Sequence, residues 1–202
     1  MLGQAEQDRI SDAIAAAERT TSGEIVCVIA HRASSYRSFA VALPAAIGFA
    51  VPIPLLLLTN MSAERIYLIQ LAVAALVAFA LMWMPLRLAL VPRPLGRLRA
   101  REAAHRQFAA RGLAQTEHRT GALIFIAVTE HYAEIIADDG IASRVEAEVW
   151  RETLTKLVED IRSSRAADGM VAAVQQVGAI LAQHHPPRPG DRNELPNHVI
   201  VL

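Results

Sequence analysis

The sequence predicts an α/β fold, a small mixed sheet flanked by helices as an α/β/α sandwich, interrupted by a two-helix transmembrane hairpin. Three observations predict it. Two short apolar runs, 25–30 and 122–128, have the length and unbroken hydrophobicity of buried strands. Apolar residues at helical spacing precede the first run and follow the second. Between the runs lie two stretches without a single charge, 38–63 and 66–86, separated only by Glu64 and Arg65. Each is long enough to cross the roughly 30 Å hydrocarbon core as a helix.

Taken in order, Asp8, Ile10, Ile14 and Ala17 fall on a helical repeat that leads into the strand at 25–30. This strand needs sheet partners, and 122–128, covered on both faces, is the central candidate. For the two to pair, the chain must return to the side of the bilayer it left, which an even number of spans provides.

The first apolar stretch holds Pro44, Pro52 and Pro54, so its helix is expected to kink. The second holds no interior proline, and Trp83 at its end suits an interface. Arg32 and Arg37 precede the first span; Arg87, Arg93, Arg97, Arg99 and Arg101 follow the second. This bias predicts cytoplasmic ends, and hence a multi-pass inner-membrane protein with its soluble domain in the cytoplasm. Residues 1–10 are too polar for the apolar core of a cleaved signal. The organisation expected is 1–37, first helix and strand; 38–86, hairpin; and 87–202, the rest of the domain with a C-terminal tail.

The net charge of zero hides a separation. Residues 88–111 carry six arginines against Glu102 alone, whereas 112–202 carries thirteen acids and eight basic residues. A basic segment beside a span suits anionic lipid headgroups. Without interleaved aromatics or a binding motif it does not suggest nucleic acid. Cys27 stands alone in an apolar run, a packed thiol rather than part of a disulfide or metal framework.

Beyond the hairpin, 99–110 reads as a helix ended at Gly112. Residues 129–131 read as a tight turn between the central strand and a shorter edge strand, 132–137. Asp138, Asp139 and Gly140 interrupt the pattern. Ser143 and Glu146 have capping-box spacing for a helix to about Ile161, with Trp150 expected in core packing or a domain-interface contact rather than stacked on a ligand. Asp168 and Gly169 are expected to precede a last helix containing Val171, Val174, Val177, Ile180 and Leu181. The tail is rich in turn formers until its last four residues.

The tracts RISDAIAAAERTTSGEIVCVIA, AHRQFAARGLAQTEHRTGALIFIAVTEHYAEIIADDGI, DGMVAAVQQVGAILAQHHPP and NELPN resemble the TPM domain family. The hairpin between the first strand and the next helix resembles a bacterial membrane subgroup. It departs from the arrangement with an exported domain and a downstream anchor. The resemblance implies an interaction or accessory module for an envelope protein, and raises calcium binding and phosphatase activity as chemistries to test.

For a cation, Asp138 and Asp139 lie just beyond a strand, where oxygens can converge on a hard ion such as calcium, although no twelve-residue calcium loop follows. Helix entry is the competing role for both. A divalent-cation-dependent phosphatase is the alternative function. It needs an activated nucleophile or metal-bound water and positive charge for the phosphoryl group. His118 beside Arg119, His131 beside Glu130, and the pair His184 and His185 form no recognisable catalytic motif, so no catalytic residue is assigned. The expected partners are the bilayer and an envelope protein.

Overall fold

The fold is given by a computed structural model, which describes residues 2–116, 118–188 and 193–202. Its sheet grows from the two apolar runs. β1 (Glu24–Ala30) and β2 (Gly121–Ala127) pair in parallel, from Glu24 opposite Gly121 to Ala30 opposite Ala127. β3 (Tyr132–Ala137) returns antiparallel to β2 through a tight turn in which His131 takes a φ of 49°. β4 (Ile200–Val201) adds in parallel to the other edge of β1, giving the order β3-β2-β1-β4.

Alternation along the central strands separates two cores. Ile25 and Cys27 with Ala122, Ile124 and Ile126 face one layer of helices. That layer comprises α1 (Gln4–Glu18), α8 (Ala147–Arg162) and α9 (Ala166–His184). Ile10 and Ile14, one turn apart on α1, are fully buried there. Each such side chain contributes about 1.5–3 kcal/mol. Val26, Val28 and Ala30 with Leu123, Phe125 and Ala127 face the opposite layer. Its contacts are Ala100, Ala103 and Ala104 of α6 (Arg93–Ala110). Small residues on α6 let that helix lie close to the sheet.

The chain divides into two compact units, residues 1–33 with 97–202, and residues 34–96. In the second unit α2 (Arg37–Ala50) and α3 (Pro52–Leu58) are followed by α4 (Ala63–Met82) and α5 (Met84–Leu90). Pro44 is accommodated within α2, and the run divides at Val51, just before Pro52 and Pro54. Two segments, Arg37–Leu58 and Ala63–Met82, are long and apolar enough to cross a membrane, and only 11% of each is buried. Phe49, Leu57, Leu58 and Phe79 stand exposed. α2 and α4 pack through small residues: a Cβ added to Gly48 would lie 3.3 Å from the Ala74 Cβ.

Several local expectations are corrected. Ser143 does not open α8; its hydroxyl donates to the Asp139 carbonyl (2.8 Å) after a short α7 (Asp139–Ala142), and α8 starts at Ala147. Asp168 and Gly169 lie inside the first turn of α9 rather than before it. A Cβ at Gly169 would sit 2.6 Å from the Asp160 Cβ, so close packing on α8 explains that glycine. Of the last four residues, where the turn formers end, Ile200 and Val201 form β4. Its stretch 189–192 lies outside the described residues.

Candidate functional site

One end of the sheet gathers polar side chains, because β1 and β2 both start there and β3 ends there. Asp138 follows β3 with its N–H donating to the Gly121 carbonyl (2.9 Å), which holds it against the start of β2. It is buried and opens α7, its Oδ1 accepting the Asp139 N–H at 2.7 Å. Arg119, in a left-handed backbone conformation (φ 53°), donates from Nε and Nη2 to the two Asp138 oxygens, at 3.3 and 3.0 Å. The same Nη2 lies 3.0 Å from Asp139, whose side chain is 80% exposed.

Gly140 keeps this arrangement closed. A Cβ there would meet the carbonyl oxygens of Arg119 and His118 at 2.5 and 2.7 Å. His185, which ends α9, reaches the Gly140 carbonyl from Nε2 (3.2 Å); a carbonyl only accepts, so Nε2 carries the proton. Burial pushes the His185 pKa down, and Arg144, Arg188 and His184 push the same way. Its own carbonyl accepts the Thr21 hydroxyl at 2.6 Å.

A second polar feature lies across β1. Glu18, the last residue of α1, accepts the Ile25 N–H on Oε1 (2.8 Å), and its Oε2 is buried without a hydrogen-bond partner. Glu24, the first residue of β1, accepts the Glu194 N–H at 2.8 Å. Both carboxyl groups sit at the turn that joins α1 to β1. Burial first, and then the neighbouring Glu24, push the Glu18 pKa up to about 8. Both acids line a groove of about 440 Å³ that also includes Arg19, Arg188, Asn193 and Asn197.

Asp138 and Asp139 therefore share a place but differ in role: Asp138 is buried against Arg119 and the α7 entry, and Asp139 faces solvent. As placed, Arg119 supplies the positive charge that a cation would supply. Among the described residues, no group of three or more His, Cys, Asp or Glu side chains is arranged to hold a metal ion. His131 and Glu130 lie in the turn at the other end of β2, where Glu130 accepts the Ala33 N–H at 3.0 Å. Glu18 and Glu24 did not stand out in the sequence. Their available signal was a glutamate at each end of the turn between the first helix and a wholly apolar strand.

A mixed four-stranded sheet with helices on both faces and its polar groups at one end defines an α/β sandwich. Residues 85–180 match the profile of the TPM domain. The match contains β2, β3, α7 and α8, while α1 and β1 lie outside it. Among solved structures, the chain is similar in fold to the NMR structure of BA42 protein from the psychrophilic bacterium Bizionia argentinensis. The TM-score is 0.62 at 19% identity, covering 100% of this chain and 96% of that one. No curated protein matches.

Proposed function

We propose that this chain is a membrane-tethered TPM domain acting as an interaction module for another envelope protein, with residues 34–96 as its anchor. The observation that carries the reading is the exposure of the two apolar helices: Phe49, Leu57, Leu58 and Phe79 have no protein cover among the described residues. Such surface is stable against lipid and a liability in water. The arginine bias favours a cytoplasmic domain at the inner membrane. An interaction role is favoured by how the polar end is used: Arg119, Asp138, His185 and Thr21 hold one another and the backbone. Crosslinking in native membranes tests this. A reproducible copurifying envelope protein is expected, and recovery of the monomer alone under conditions that capture known complexes would contradict it.

Cation binding at Asp138 and Asp139 is a second reading, favoured by the exposed Asp139 carboxylate and by an Arg119 side chain that is 56% exposed. Calcium is the ion to test. Calorimetry in which the heat is lost in a D138A/D139A variant supports it, and unchanged heat in that variant rejects it. The phosphatase alternative requires such a cation. Phosphate release tracking the protein peak would favour it over a purely binding role.

A further inference from the structure

Within residues 34–96, α2 and α4 border an open groove of about 660 Å³. Its walls are apolar, with Ala40, Val41, Phe79 and Met82, but Arg37 and Arg87 line it too. The two arginines flank the hairpin at one end: Arg37 begins α2, and Arg87 follows α4. Arg87 ties that end together, its Nε donating to the Leu81 carbonyl at 3.0 Å and its Nη1 to the Ser35 carbonyl at 3.2 Å. Carbonyls orient a guanidinium without cancelling its charge. Among the described residues, no carboxylate forms an ion pair with Arg37 or Arg87.

We propose that this groove is a binding site for one anionic phospholipid, its phosphate held by Arg37 and Arg87 and an acyl chain lying along Val41, Phe79 and Met82. The proposal rests on the membrane reading above. Charge and shape select the occupant together. A guanidinium matches phosphate oxygens in a fork, and an acyl chain covers apolar walls without bringing polar backbone into them. A second copy of the hairpin would bring its own arginines against these two. A free phosphate would satisfy the cations and leave the walls bare.

The test uses the full chain in phosphatidylcholine nanodiscs doped with spin-labelled phosphatidylglycerol or spin-labelled phosphatidylcholine, reading the motionally restricted fraction. Wild type is expected to restrict the anionic lipid preferentially. Removing one positive charge at the lipid surface by R37Q lowers that preference roughly fivefold, and R37K retains it. Arg37 is exposed at the first residue of α2, so R37Q leaves the hairpin packing intact. R65Q makes the same charge change near the start of α4, at the opposite end of a helix about 30 Å long, and leaves the preference unchanged. Equal restriction of both lipids, or equal losses in R65Q and R37Q, would overturn the site while leaving the anchor standing. Failure to incorporate into nanodiscs at all would overturn the membrane reading and the site with it.

Discussion

Replacing Glu18 by glutamine isolates the most heavily perturbed carboxyl of the domain. In the folded chain its pKa is pushed up to about 8 from an ordinary 4.5. Below about pH 4.5 folded and unfolded chains both hold the proton, and the group is neutral to stability. Between 4.5 and 8 the folded chain keeps a proton that the unfolded chain loses, so stability falls as pH rises. Above 8 the loss levels off. At 1.36 kcal/mol per unit, the full shift is worth about 5 kcal/mol as an upper bound. Partial exposure of the side chain and screening reduce this to about 2 kcal/mol.

Glutamine keeps the shape and accepts the Ile25 N–H, but it never ionises. E18Q is therefore expected to stabilise the domain by about 2 kcal/mol at pH 8 and to change it little at pH 4.5. The assay is urea unfolding of the full chain in mild detergent at several pH values, in a W83F background. That leaves Trp150, packed against the α8 and α9 core, as the sole tryptophan. An E18Q effect that is the same at both pH values, or destabilising at pH 8, would refute the raised pKa of Glu18.

Gly178 packs α9 on α1 so closely that a Cβ would fall 2.6 Å from the Ala17 Cβ. G178A is expected to cost about 1–3 kcal/mol through overpacking, read in the same unfolding assay, with A17G partly restoring stability. Removing Arg119 leaves Asp138 buried beside an unopposed negative neighbour. R119A should lower stability and, if the aspartates take calcium, increase its binding heat; the D138A/D139A background should abolish that gain.

The central pairing was legible because EIVCVIA and GALIFIA are apolar on both alternating faces, a pattern that demands cover on each side. The antiparallel return to β3 was equally plain from the break at 129–131. β4 was not, since Ile200 and Val201 form a strand only because the edge of β1 is open to them. The start of α8 misled because Ser143 bonds backward to Asp139 rather than forward. Asp138 stood out as an acid after a strand, yet its partner Arg119 is nineteen residues earlier and reaches it only through the pairing of β2 with β3. The influence of Glu24 on Glu18 likewise depends on the turn between α1 and β1, which no periodicity encodes.

Parallel register between β1 and β2 joins segments from before and after the apolar hairpin into one sheet. If the hairpin spans a bilayer, both flanks must therefore share one side. Cysteine labelling in intact and permeabilised cells tests this directly, with Cys27 replaced by alanine because its thiol is buried. Single cysteines then replace Arg32, Glu64 or Arg188. Positions 32 and 188 are expected to label only after permeabilisation, and position 64 beforehand. Positions 32 and 188 in opposite compartments, or all three in the same one, would contradict a membrane hairpin inserted in a single domain; a uniform inversion would overturn only the cytoplasmic orientation.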